Sequence, residues 1–253
     1  MDDLIQAAHK TQEYFLWALA KEIFEDKGVT AFAPDIKEPN LNFAMQTKDL
    51  AGDIEEILLW VEGFYEASPL PWSWVINPSI DQENLKAVLQ KRGYPLISDC
   101  PVFVGFLEDV FPDDFLKTFT IQEVGEEQLL EWIVPLQEAF QGTKENTSLY
   151  LEAHRLALKK KANFRHFVSY VKGKPVSAAT LSLSSNGARL DDLGTTHAYQ
   201  RKGFGRAMTL YAMKIAKELG YDWVCLEASD QGALLYKSMG FKELYRNEIY
   251  RRS

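Results

Sequence analysis

Cysteine is nearly absent: Cys100 and Cys225 are the only two in 253 residues. That excludes a disulfide-stapled scaffold and a cysteine-built zinc centre. Long apolar runs are missing as well. No stretch approaches the roughly 18 consecutive apolar residues of a membrane-spanning helix. The opening segment, MDDLIQAAHK, is acidic where a secretory or organellar leader is basic, so the expected location is cytoplasmic. Basic charge is in deficit, with 28 Lys and Arg against 36 Asp and Glu, a net of −8. That balance argues against a general nucleic-acid binder.

What remains is an ordinary soluble composition, 46% hydrophobic and 25% charged. The length fits one or two domains with a core that needs no covalent staples. The charge is divided unevenly. Residues 1–114 carry 8 Lys and Arg against 21 Asp and Glu, a net of −13, whereas residues 115–253 carry 20 against 15, a net of +5. The segment Phe111-Pro112-Asp113-Asp114 is the natural boundary, giving units 1–112 and 113–253 with different partners.

Periodicity supplies the elements. In residues 3–25, apolar positions recur at spacings near three and four and predict one helix, stopped by Gly28 and Pro34. Strand-like runs cover 41–47, 72–76 and 96–107, with helices at 53–65 and 81–91. The second unit reads β-α-α-β-β-β-α-β-α-β. Its strands are 115–124, 164–171, 175–184, 189–196, 223–228 and 241–251, and its helices 126–140, 146–161, 204–219 and 231–239. Asn186-Gly187 is a hairpin signal. Leu85–Val104 and Ala233–Tyr250 form a weak internal echo: each is a short helix, a Gly with an aromatic, then a strand. Trp72, Trp74 and Cys225 read as core, and His154 and His166 as packing or surface positions.

The chemistry concentrates at Leu193–Ala207, LGTTHAYQRKGFGRA. Gln200, Gly203 and Gly205 form Q-x-x-G-x-G between a strand and an amphipathic helix. Glycines let backbone approach a ligand, and a helix start presents unpaired N–H groups and a positive dipole end. Together these make a phosphate site, with Arg201, Lys202 and Arg206 adding charge. The Walker pattern G-x-x-x-x-G-K-[ST] is absent. The dinucleotide fingerprint fails because Met208 stands where its third glycine would be. A second segment, Cys225–Phe241, CLEASDQGALLYKSMGF, carries Leu-Tyr and Gly-Phe around a short helix.

The two segments, in this order and spacing, resemble the GNAT superfamily, the Gcn5-related N-acetyltransferases, over about residues 115–253. The resemblance implies an α/β (α+β) fold with a mixed central sheet flanked by helices, preceded here by a smaller α/β unit. It implies acetyl-CoA as co-substrate, no metal, and a small-molecule or peptide amine as acceptor. The CoA pyrophosphate would lie on Arg201, Lys202, Gly203, Phe204, Gly205 and Arg206. The pantetheine arm would follow Leu193, Gly194 and Thr195, with Ser229 at the end of the next strand. Tyr236 would be the general acid for the departing thiolate. Family members often place a Glu on the fourth strand as base. Here Arg189 takes that position, and Asp191, Asp192 or Glu227 is left for the role. A non-catalytic acyl-CoA-binding or regulatory module is the alternative reading.

Residues 1–110 lack the Q-x-x-G-x-G turn, and the internal echo suggests a degenerate GNAT-like half. The chain stops 13 residues after Gly240, which leaves room for one final strand where the family often has two. The missing strand is either absent or replaced by one from the first half or from a second subunit, as in a homodimer. No nucleic-acid or membrane partner is expected.

Overall fold

Two of the three Lys-Gly pairs in the chain close tight hairpin turns. Lys27 and Gly28 have φ of 47° and 88°, and Lys172 and Gly173 have φ of 51° and 74°. Two consecutive positive φ values define the two-residue hairpin whose twist matches its strands. The first turn corrects the expectation of one helix over 3–25. The helix α1 spans Asp2–Leu19, and Ile23 and Phe24 lie in strand β1, Glu22–Asp26, paired with β2, Val29–Ala33. Helical periodicity misled here because Phe24 faces a helix, with its ring 4.8 Å from Trp60 and 5.7 Å from Phe64.

The computed structural model describes residues 2–76, 83–108 and 116–252. The proposed boundary at 111–114 and the first residues of the helix expected at 81–91 lie outside the described residues. The first half continues with β3 (Phe43–Gln46), α2 (Ile54–Ala67), β4 (Ser73–Ile76), α3 (Glu83–Lys91) and β5 (Leu96–Phe106). The second half is β6 (Thr120–Val124), α4 (Leu129–Ala139), α5 (Lys144–Lys159), β7 (Phe164–Val171), β8 (Lys174–Ser184) and β9 (Gly187–Thr195), then α6 (Phe204–Glu218), β10 (Trp223–Glu227), α7 (Asp230–Ser238) and β11 (Lys242–Tyr250). From α1 and from α5 onward the two halves repeat the same order of elements. The echo between α3–β5 and α7–β11 is real down to the turns, where Gly93 and Gly240 have φ of 84° and 85°.

Among the described residues all eleven strands join one sheet, in the order β1-β2-β3-β4-β11-β5-β10-β9-β8-β7-β6. The neighbours β3–β4 and β9–β10 are parallel, and the other pairs are antiparallel. The last strand of each half crosses into the other. β5 lies against β10 with Val102 opposite Glu227, and β11 lies against β4 with Tyr250 opposite Trp74. The strand missing from the second half is therefore supplied by the first half, and the exchange is reciprocal.

Helices α6 and α7 cover one face of the second half over Phe103, Phe167, Leu181, Leu190, Met208 and Leu226. In the first half a corresponding core holds Leu58, Val61, Trp74, Leu85, Leu89 and Tyr250. Helices α1 and α5 share a third core with Phe15, Phe32, Met45, Ala157, Phe164 and Ile249, which spans both halves. Trp74 is fully buried, and Trp72 stacks on Tyr65 at 5.0 Å. Among the described residues no helix is long and apolar enough to cross a membrane.

The exchange predicts that the halves do not fold apart. Residues 116–253 expressed alone leave β10 and β11 without β5, and are expected to show no cooperative melting transition by calorimetry and no near-ultraviolet circular dichroism.

Candidate functional site

The site begins where the sheet opens. β9 and β10 pair only at Ala188–Val224 and Arg189–Cys225. β10 then ends at Glu227, held by the Ala228 N–H donating to the Pro101 carbonyl at 3.0 Å. β9 runs on to Thr195 without a partner on that side. In this open stretch β9 carries a bulge. Ala178 pairs with Gly194 and Thr180 with Asp191, so Asp192 and Leu193 share one opposing residue. Asp192 takes φ 56°, a left-handed conformation that costs a non-glycine residue about 1–2 kcal/mol. Bulges of this kind re-aim side chains beside functional sites. Here two consecutive carboxylates, Asp191 and Asp192, both enter the interior under α1 and α5.

Gly194 is where α4 comes closest. A Cβ there would lie 2.8 Å from Leu136 Cδ2 and 3.1 Å from Ala139 Cβ. The Ser177 hydroxyl donates to the Gly194 carbonyl at 2.9 Å and meets Thr195 Oγ1 at 2.8 Å. Leu193 packs against the core under α6 and α7.

Beyond Thr195 the chain folds back on itself. Gln200 Nε2 donates to the Thr195 carbonyl at 3.2 Å, which gives the glutamine of the motif a structural task. Arg201 takes φ 58°, and Gly203, the N-cap of α6, takes φ 89°. That conformation is cheap only for glycine. The first bond of the helical ladder is Ala207 N–H to the Gly203 carbonyl at 2.9 Å. The N–H groups of Phe204 and Gly205 precede it, and Gly203 has no side chain to cap them. The helix end therefore keeps its donors and its positive dipole for an external anion. Phe204 is buried and anchors the turn edge-on against Phe119 and Tyr199, at 5.0 and 5.7 Å. Arg201 and Lys202 are exposed, and Lys202 Nζ lies 5.1 Å from the centre of the Tyr199 ring.

The topological counterpart of α6 in the first half is α2, and its N-terminus is closed. Asp53 is the N-cap, and its Oδ1 accepts from the N–H of Glu55 at 2.7 Å and of Glu56 at 3.4 Å. Three carboxylates there satisfy and repel where α6 offers donors.

On the far side of the opening stands Tyr236, in α7. Its ring is 6% exposed and lies 6.3 Å from Phe103 and 5.6 Å from Phe241. Burial, with the charge of Asp191 added, pushes its phenol well above the usual range, so the hydroxyl is protonated at neutral pH. Ser229 caps α7, accepting from Gly232 N–H at 3.2 Å.

The three candidate bases have different surroundings. Asp191 accepts from Arg189 Nε at 2.9 Å. Burial nevertheless raises its carboxyl. Glu227 accepts from Asn247 Nδ2 at 2.6 Å, and Asn247 also donates to Gln12 of α1. Asp192 accepts from the Tyr150 hydroxyl at 2.5 Å. Burial first, and then the neighbouring charge of Asp191, push Asp192 up to about 7. His154 and His166 are wholly buried beside it, not on the surface. Sequence reasoning passes over Tyr150 and reads His154 and His166 only as packing or surface positions, because all three sit on α5 and β7, far from the motif in sequence. His197 contacts Glu138 through its N–H at 2.6 Å, a loop contact. Cys225 is core, and its thiol meets Thr11 Oγ1 at 3.1 Å.

Residues 162–243 match the model of the acetyltransferase (GNAT) domain. No curated protein matches the sequence. Among solved structures the chain is similar to a GCN5-related N-acetyltransferase from Kribbella flavida, at 19% identity and TM-score 0.69, covering 97% of this chain and 95% of that one. A GCN5-related N-acetyltransferase from Sphaerobacter thermophilus aligns at 13% identity and TM-score 0.64, over 92% of this chain and 82% of that one. A tandem GNAT protein from the clavulanic acid biosynthesis pathway aligns at 10% identity and TM-score 0.61, over 88% and 77%. At these identities the likeness is one of fold, and it spans both halves. Residues 162–243 thus match a GNAT domain, and the chain as a whole has the two-half GNAT fold.

Proposed function

We propose that this protein is an acyl-CoA-dependent N-acetyltransferase, moving an acetyl group from acetyl-CoA to a primary amine of a small molecule or peptide. The observation that carries the reading is the uncapped N-terminus of α6 beside the opening between β9 and β10. Its N–H groups, with Arg201 and Lys202, suit the pyrophosphate of CoA. The free edge of β9 at Leu193, Gly194 and Thr195 suits the pantetheine arm. Backbone N–H groups there would polarise the thioester carbonyl.

In this reading the neutral amine attacks the thioester carbon. The C–N bond forms, the C–S bond breaks, and the departing thiolate takes the proton of Tyr236. Asp192 takes the proton of the amine. It is preferred over Asp191, which the Arg189 guanidinium engages, because burial and the neighbouring charge of Asp191 push Asp192 up to about 7. A base titrating near the working pH combines availability with driving force. The acidic first half, with its net of −13 over residues 1–114, favours a basic acceptor. The engagement of Asp191 by Arg189 favours the second reading, an acyl-CoA-binding module without turnover.

Turnover of acetyl-CoA against a panel of amines separates the two. Thiol release identifies the enzyme, and CoA binding without turnover on any amine identifies the module. Reversing both exposed charges, Arg201→Glu with Lys202→Glu, is expected to weaken CoA binding at least about tenfold in calorimetry at low salt. Unchanged affinity would remove the anion site from the α6 turn. Tyr236→Phe is expected to lower kcat by about 10²-fold or more with little change in CoA affinity. Because Asp192 acts as the carboxylate, kcat/KM is expected to rise with pH through about 7. A flat acid limb down to pH 5 would assign the proton elsewhere.

A further inference from the structure

Three titratable side chains line up in the interior beside the β9 bulge. His166 stands on β7, His154 on α5, and Asp192 on β9. His154 Nδ1 and His166 Nε2 are 2.9 Å apart. On the opposite edge of its ring, His154 Nε2 faces Asp192 Oδ2 at 3.5 Å, and neither atom has a hydrogen bond elsewhere. The other carboxylate oxygen, Oδ1, holds the Tyr150 hydroxyl. Aromatic rings wall the row. Trp132 of α4 lies 4.4 Å from His154 and 5.0 Å from His166, and Phe164 and Phe15 close the remaining sides at 5.7 and 6.3 Å from His154.

A buried imidazole pays the desolvation cost of a charge if it is protonated twice. Burial holds His154 far below its ordinary range and brings His166 down to about 3. Each ring therefore carries one N–H, and a single hydrogen bond between the rings ties their tautomers together. When Asp192 is ionised, His154 turns Nε2–H to the carboxylate. Its bare Nδ1 then accepts from His166 Nε2–H. When Asp192 carries a proton on Oδ2, that proton is donated to His154 Nε2. His154 Nδ1–H is then donated to His166 Nε2, and His166 keeps its proton on Nδ1. The two arrangements differ by one proton, the one on the carboxyl.

We propose that His154 and His166 act as one tautomeric pair that switches with the charge of Asp192, serving as positioning residues that orient and tune it. The role in transfer rests on the reading of Asp192 as base; the switch itself does not. The other groups facing Asp192 are Asp191 and Arg189 on β9, Tyr150 on α5, and Thr180 on β8. α4 and α1 present the uncharged rings of Trp132 and Phe15 to the row, and His9 of α1 lies toward Arg189.

The test is ¹⁵N NMR of the full chain with labelled histidine, between pH 5.5 and 9. Ring nitrogen shifts separate protonated from bare nitrogens. Both residues are expected to exchange their protonated nitrogen at one shared midpoint near neutrality, with neither becoming a cation. Asp192→Asn is expected to abolish the midpoint in both rings at once. Tautomers that ignore pH, or a ring that titrates to a cation on its own, would overturn the pair. In parallel, His166→Gln is expected to move the acid limb of kcat/KM by about one pH unit while leaving KM for acetyl-CoA unchanged. A shared midpoint with an acid limb elsewhere would keep the pair and overturn its part in transfer, removing Asp192 as base.

Discussion

The antiparallel pairing of β5 with β11 is what the rest of the molecule depends on. It runs from Val104 opposite Lys242 to Leu96 opposite Tyr250. Each strand is the last of its half, and each is placed inside the other half. Because β5 also borders β10, the first half builds one wall of the site in the second. Pro101 ties down the end of β10, and Phe103 lies against Tyr236. The width of the opening between β9 and β10 is thus set by a strand more than a hundred residues earlier in the chain. Contacts this distant in sequence cost loop entropy before they return energy. The fully buried Val102, Phe103 and Val104 supply the compensating apolar burial.

The two helix N-termini show how one fold yields one anion site instead of two. α2 and α6 occupy equivalent places, each connecting the two strands of a parallel pair. At α6 a left-handed glycine leaves the first N–H groups uncapped. At α2 the Asp53 carboxylate occupies those donors, and Glu55 and Glu56 add negative charge. The unequal charge of the two halves is the large-scale form of the same difference.

The interior beneath α1 and α5 is the other departure from a plain core. Arg189, His154 and Asn247 are buried there, and Asp191 and Asp192 nearly so, with several of their polar atoms lacking a protein partner. Burying such groups costs stability, and fixing Asp192 at positive φ adds strain. Strain and unpaired polar groups of this kind cluster at functional sites.

The sequence by itself determined the local layer. Gln200, Gly203 and Gly205 announced the turn, the Gly-aromatic echo announced the repeated half, and the order of elements after residue 115 was legible from periodicity and turn residues. These features follow from φ preferences and from side-chain spacing along one element, so they need no knowledge of what lies opposite. Only the tertiary structure decided the rest. β1 and β2 hid behind a helical spacing because Phe24 packs half-buried against α2, not within its own helix. Whether the missing strand was absent or came from the first half or a second subunit was open, since strand pairing leaves no mark on periodicity. Asp191, Asp192 and Glu227 looked alike in sequence. Their proton affinities diverge because Arg189, Asn247, Tyr150 and the buried histidines reach them from other elements, and burial turns those contacts into differences in charge.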